Sequence, residues 1–479
     1  MGSRVTLSKT SIAIGTMLVL LGIPYASPKL ARLRVARAPW DRTPITEDLA
    51  ETQKVTMPEP TQGEVKLEAS KNEATVTNAL PDKPAGSTEP PRTTTTSGTP
   101  TTEAPRPIDD PSGHALDAFY KRLAKTKAKE AGAVTRIEHY GDSVITSDYI
   151  SGTLRRKLQA TYGDAGHGFV LLAKGWDWYF HNDVVMGAGE GWTSSRITGP
   201  FNKDGMYGLG GVSFVGAPGT SSWYGTAGGT TYGKKVSRFD VYFEETPNGG
   251  EVELKAGEKS ERFSTKGEEK KSAKHSFSVP DGEAKMTLKV VSGSPRLFGV
   301  ALERDVPGVV YDALGANGGR GELLLGMDAG HWKEQMDLRD PALVILNYGT
   351  NESEGGIDSP VYEKKLRTLV DKAKAAAPNA SVLIMAPLDR AEKSEGGALR
   401  TKPVIKKLVD AQQKVATEAQ VGFWNTYEAM GGEGSMATWV RKGLAGSDLT
   451  HPSPSGGEMI GDLLYKALAA GLEKHEKPN

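Results

Sequence analysis

The spacing of apolar residues changes along the chain and marks out its parts. Leu116, Phe119, Tyr120 and Leu123 share one face of a helix, and Val134 to His139 reads as a short strand running straight into Gly141-Asp142-Ser143. Between Asp148 and Ala160, Ile150, Leu154 and Leu158 recur at four-residue spacing, the pattern of a helix packed on a sheet. From about 165 to 305 the period shortens to alternation between glycine-rich turns. Phe239 to Phe243 and Glu251 to Leu254, flanking Pro247-Asn248-Gly249-Gly250, predict a hairpin. Further runs at His275 to Val279, Lys285 to Val291 and Leu297 to Leu302 extend it to an antiparallel, jelly-roll-like sandwich. After Pro307, apolar strands at Val309 to Ala313, Ala342 to Tyr348, Ser381 to Ala386 and Val421 to Trp424 resume. Helical stripes at Tyr362 to Ala376, Val404 to Ala419 and Gly457 to Ala470 accompany them. Short buried strands alternating with such helices make a parallel sheet between two helix layers. The fold expected is therefore a three-layer α/β/α domain, flavodoxin-like in kind, split by an all-β insert.

Two stretches carry neither period. Arg4 and Lys9 precede an apolar run from Ile12 to Ala26 that is short for a membrane span, so residues 1–28 read as a signal sequence. Pro24 and Ala26 make a poor cleavage site, and an uncleaved N-terminal membrane anchor is the alternative. Residues 29–112 accumulate Pro, Thr, Glu and Lys and cannot bury enough apolar area to offset their ordering entropy, which predicts a disordered tether. The domain expectation is then 113–164 and 306–479 for the α/β domain and 165–305 for the insert.

Composition narrows the chemistry. The 59 basic and 59 acidic side chains cancel, so no global charge points to nucleic acid or an anionic membrane surface. With no cysteine, disulfides, thiol catalysis and thiolate metal sites are excluded. His167, His181 and His331 match no ligand spacing, and neither a metal nor an organic cofactor is expected.

In an open parallel sheet the ligand site lies beyond the carboxyl ends of the strands. Ser143 follows the first strand, where a serine opening a helix sits among free amide N–H groups. Leu314 to Arg320, with Gly315, Gly318 and Gly319, follows the Val309 strand and offers backbone donors. Gly349-Thr350-Asn351-Glu352 follows the next strand, and the Asn351 amide can donate to an oxyanion without carrying charge. Asp448-Leu449-Thr450-His451-Pro452 precedes the last helix; Pro452 keeps His451 in a loop, and a carboxylate three residues earlier can bond its other ring nitrogen. Taken singly, each piece reads as well as a helix cap or a turn. Their joint occurrence at one sheet edge is what favours chemistry.

These pieces, in this order, resemble the four signature blocks of the SGNH (GDSL-like) hydrolases, over about residues 134–162 and 307–470. The resemblance implies Ser143 as nucleophile, His451 as base and Asp448 as its orienter. Gly318 and Asn351 join the Ser143 amide as oxyanion donors, with Gly315 the second choice to Gly318. It implies two-step acyl transfer to water.

The position of the insert, with Asp148-Tyr149, Gly163 to Gly166 and Asp312 to Gly318, is similar to peptidoglycan and carbohydrate O-acetylesterases of that class. The expectation is an exported, periplasmic, envelope-associated or secreted serine esterase. It would act on O-acyl, above all O-acetyl, esters of a glycan such as peptidoglycan. An O-acetyltransferase, another short-chain esterase and an inert glycan-binding protein are the rivals. Trp176, Trp178 and Trp223 are candidate sugar platforms, with Tyr179, Trp192 and Tyr224 nearby in sequence, although a sandwich core would use the same aromatics. Nothing in the sequence sets the oligomeric state.

Overall fold

A computed structural model describes residues 106–477. The signal-sequence reading and most of the tether lie outside the described residues. Residues 106–112, which composition places in the tether, lie along the α/β domain. Asp109 and Phe423 exchange backbone hydrogen bonds of 2.8 and 2.9 Å, and Arg106 pairs with Glu428 at 2.9 Å. The bridge borrows free backbone at a sheet edge, which average composition does not register.

The chain forms α1 (Asp117–Lys127), β1 (Val134–Gly141), the single turn α2 (Ser143–Thr146) and α3 (Tyr149–Tyr162). The insert follows with β2 (Gly168–Leu171), β3 (Val184–Ala188), β4 (Trp192–Arg196), β5 (Val212–Gly216), β6 (Ser221–Thr226) and β7 (Val236–Glu245). It continues through β8 (Glu251–Ala256), β9 (Lys259–Ser264), β10 (Lys271–Gly282), β11 (Lys285–Ser292) and β12 (Arg296–Glu303). The α/β rhythm returns with β13 (Gly308–Gly315), α4 (Ala329–Arg339), β14 (Leu343–Asn347), α5 (Ser359–Ala376) and β15 (Ser381–Met385). After a small hairpin of β16 (Ala391–Lys393) and β17 (Leu399–Thr401) come α6 (Pro403–Ala419), β18 (Gly422–Trp424), α7 (Thr426–Ala429), α8 (Ser435–Arg441) and α9 (Pro454–Glu476).

The central sheet is parallel with strand order β13-β1-β14-β15-β18, as the alternating pattern predicts. Its order reverses about β1, so the end of β1 is the switch point at which doubly wound sheets bind ligands. The insert holds two antiparallel sheets, β10-β7-β12-β5-β4 with β2 also on β12, and β3-β6-β11-β8-β9.

The predicted hairpin about Pro247 to Gly250 does not form. Its arms join different sheets, β7 pairing with β10 and β12, and β8 with β9 and β11. Turn residues signal a change of direction and not a partner. Here they carry the chain between layers, where a Cβ on Gly249 would stand 2.3 Å from the Thr265 carbonyl oxygen. Helix α4 carries no clear apolar stripe; its inner face mixes Trp332 and Met336 with His331, Gln335 and Arg339.

The insert is fused to the parallel sheet. One hydrophobic cluster runs from the sandwich, through Val241, Leu254 and Leu288, to Tyr140, Val344 and Leu346 on one face of the parallel sheet. Beside it lies a buried ionic network. Arg339 of α4 grips Asp312 of β13 at 2.5 and 2.7 Å and also bonds Glu303 of β12. Arg136 of β1 chelates Glu303 at 2.8 and 3.0 Å, Arg238 of β7 adds a bond at 2.8 Å, and Asp312 accepts the Phe169 amide of β2 at 2.7 Å. Burial acts to raise the Glu303 carboxyl, but Arg339 and Arg136 outweigh it and hold it well below the usual range.

Candidate active site

Ser143 opens α2 at the end of β1. The capping alternative falls to its neighbour: Asp142 Oδ1 accepts the Val144 N–H at 3.0 Å, which leaves the Ser143 hydroxyl free of the helix. Burial raises the Asp142 carboxyl, and the bond from Val144 opposes that rise. The turn is possible because two glycines leave room for it to pack closely. A Cβ on Gly141 would meet Ile145 Cγ1 at 2.4 Å, and one on Gly315 would meet the Thr146 nitrogen at 2.4 Å. Gly315 therefore serves close packing of the Ser143 turn at the end of β13.

The freed hydroxyl faces His451, with Ser143 Oγ and His451 Nε2 2.8 Å apart. His451 Nδ1 lies 2.7 Å from Asp448 Oδ2, while Asp448 Oδ1 accepts the Thr450 and His451 amides at 3.0 and 3.1 Å. Partial burial acts to raise the Asp448 carboxyl, but the bonds from His451 and Thr450 outweigh it and hold it below the ordinary carboxylate range. The loop is a tight reversal. Leu449 has a left-handed φ of 60°, Gly446 N–H donates to the His451 carbonyl at 2.9 Å, and Ser453 caps α9. The rim is open, with side-chain exposures of 44% for His451 and 53% for Asp448.

Asn351 occupies the cap position of a short 3₁₀ turn without capping it; its Nδ2 donates to the Gly319 carbonyl at 2.7 Å, leaving its second N–H free of that bond. Gly318 has a left-handed φ of 73°, and a Cβ added there would meet nothing within 4 Å. Between these loops sits Glu352, whose carboxylate accepts the Gly321 amide at 2.9 Å and the Gly349 amide at 3.0 Å. Burial, with the Asp142 charge adding, pushes Glu352 up to about 7 against those bonds.

The aromatic candidates separate. Trp176 packs against the core and its ring N–H reaches Thr198 Oγ1 at 3.3 Å, and Trp223 lies over Gly187 in the sandwich with Lys285 4.2 Å above the ring. Tyr179 and Tyr224 are buried, bonded to the Leu171 amide and the Leu172 carbonyl. Trp178 stands out at 71% exposure, in edge-to-face contact with Phe180 at 6.3 Å. No motif in the sequence marks Phe180, whose amide donates to the Thr146 carbonyl at 3.1 Å and docks the pair on the Ser143 turn. His167 and His181 bond each other at 2.9 Å, and burial pushes both down, His181 to about 4. Among the described residues no group of three or more His, Asp or Glu is placed to hold a metal.

Arg390, too, lies in no recognisable motif. It lies just beyond the carboxyl end of β15, and that position was its signal: a charged residue after an apolar strand at the ligand edge of a parallel sheet.

The model of the GDSL-like lipase/acylhydrolase family matches residues 284–459, which hold Gly318, Asn351, Asp448 and His451. A solved structure of a peptidoglycan O-acetylesterase shares the fold, with a TM-score of 0.66 and 24% identity over 77% of this chain and 99% of the other. A family two carbohydrate esterase from Cellvibrio japonicus aligns at 13% identity and a TM-score of 0.25, over 60% of this chain and 98% of that one, too loosely to carry an argument. No curated protein matches the sequence.

Proposed function

We propose that this chain, an ester hydrolase carrying a GDSL-like lipase/acylhydrolase domain, removes O-acetyl groups from a polysaccharide of the peptidoglycan kind through an acyl-enzyme on Ser143. The observation that carries this reading is the continuous line from Ser143 Oγ to His451 Nε2 at 2.8 Å and from His451 Nδ1 to Asp448 at 2.7 Å. In such a line His451 takes the Ser143 proton as the oxygen attacks the ester carbonyl, and Asp448 stabilises the imidazolium that forms. The Ser143 amide, Gly318 and Asn351 face the developing oxyanion as fixed dipoles. Collapse expels the sugar hydroxyl, which receives the proton from His451. Water, deprotonated in turn by His451, then frees the acid.

The glycan part of the reading rests on the exposed Trp178 and Phe180 beside the nucleophile turn, since flat aromatic faces suit the C–H faces of sugar rings. A peptidoglycan O-acetylesterase shares this fold, which is compatible with the same substrate class. The apolar N-terminal segment and the Pro/Thr-rich stretch after it support an exported enzyme held out toward a wall polymer. Acetate release is measured from O-acetylated peptidoglycan, acetylated xylan and an aryl acetate. Release from peptidoglycan is expected, and its loss in a Ser143→Ala variant that melts like the parent. No acetate from any of the three by folded protein overturns the proposal, and acetate passed to an added glycan in preference to water makes the protein a transferase.

A further inference from the structure

The Arg390 side chain is buried, and every one of its N–H directions is used. Nη1 donates to the Thr350 carbonyl and the Ser353 hydroxyl, both at 2.7 Å. Nη2 donates to Glu354 Oε1 at 2.6 Å and Thr450 Oγ1 at 2.8 Å, and Nε reaches Thr450 Oγ1 at 3.2 Å. Thr350 and Ser353 flank Asn351, and Thr450 is the residue before His451. Thr450 in turn donates its hydroxyl to the Asp448 carbonyl at 3.1 Å. One guanidinium thus joins the loop that presents the oxyanion donor to the loop that presents the base.

Holding a cation out of water is costly, and a full set of hydrogen bonds is what offsets it. The carboxylate of Glu354 is itself 56% exposed, so ion pairing alone does not account for the site. What the guanidinium adds is a rigid planar fork that fixes several acceptors at set angles, which a lysine ammonium does not provide.

We propose that Arg390 is a positioning residue for catalysis, setting the spacing between Asn351 and His451 so that both address the same tetrahedral centre on Ser143. The inference rests on the acyl-transfer reading of those residues. The test is steady-state kinetics of Arg390→Lys in the full chain, with an aryl acetate and with melting as the check on folding. Because displacement of catalytic groups by about 1 Å costs on the order of 100-fold, kcat is expected to fall about 10- to 100-fold while KM stays near the parent value. Added guanidinium ion is expected to restore part of the activity of Arg390→Ala. A folded Arg390→Lys with parental kcat overturns the proposal, and so does a raised KM at unchanged kcat, which would make Arg390 a substrate contact. If neither Arg390 variant folds, Thr450→Val decides: it removes the acceptor on the His451 loop, together with the Thr450 bond to the Asp448 carbonyl, and leaves the bonds of Arg390 to Thr350, Ser353 and Glu354; unchanged kcat overturns the proposal. Ser143→Ala separates the two levels. Activity surviving there undoes the acyl-enzyme reading, whereas loss there with parental kcat in Arg390→Lys undoes only the positioning role.

Discussion

Ser143 Oγ and His451 Nε2 stand 2.8 Å apart although 308 positions of sequence separate the two residues. Glycine contacts between α9 and the start of α3 make the meeting possible. A Cβ on Gly457 would lie 2.4 Å from Tyr149 Cβ, and one on Gly461 would lie 2.7 Å from the Ile150 carbonyl oxygen. The helix that follows His451 therefore rests directly on the helix that begins at Tyr149, shortly after Ser143.

On the proposed mechanism, Asp448→Asn keeps the shape of the loop but removes the charge that orients and stabilises the imidazolium. A fall in kcat of about 10²- to 10⁴-fold is expected, with KM little changed, in aryl acetate kinetics. A fall below tenfold would show that His451 finds its tautomer without Asp448.

Trp178→Ala and Phe180→Ala are expected to separate polymer from small substrate. On O-acetylated peptidoglycan the KM should rise roughly 3- to 10-fold, the equivalent of about 0.5–1.5 kcal/mol of aromatic contact. Aryl acetate turnover should be unchanged. Equal losses on both substrates would place the pair in the packing of the nucleophile turn.

Arg339→Met leaves Asp312 without its guanidinium and Glu303 with one fewer, both buried. The expected loss is about 3–5 kcal/mol in urea unfolding. Because the same network ties β2, β7 and β12 to β1 and β13, the insert and the catalytic domain should unfold in one transition, read by tryptophan fluorescence and circular dichroism together.

Glu138 on β1 is buried, with Tyr140 donating to it at 3.0 Å; burial, and then the Asp312 charge beside it, push its carboxyl up from an ordinary 4.5 to about 8. Between those values the folded chain keeps a proton that the unfolded chain has lost, so stability falls as pH rises through the window. The parental Tm should therefore drop relative to that of Glu138→Gln on going from about pH 5 to about pH 9. Parallel Tm curves would contradict the raised value.

The parallel sheet was legible because its strands are short apolar runs, as at Leu343 to Asn347, set between helices with clear stripes such as α6. The insert was legible as alternation, but its connectivity was not, since Pro247 to Gly250 spell a turn whether the chain pairs with itself or crosses to the facing layer. Helix α4 escaped because its buried face includes Gln335 and Arg339, whose worth depends on Asp312 and Glu303 arriving from elsewhere. In the site, Ser143, Asn351, Asp448 and His451 could be singled out because they fall in recognisable runs. Arg390 bonds mainly side chains, and Glu352 backbone amides, including those of loops remote in sequence; the place of Arg390 after a strand marks it only as near the ligand edge, and the partners of both arrive from elsewhere in the chain.

The open rim around His451 and Asp448 bears on how a large substrate could be served. A proton shuttle reachable from the side does not require a free chain end to thread into a tunnel. On the proposed glycan reading, acetyl groups borne midway along a polymer are reached where they stand, without a free chain end.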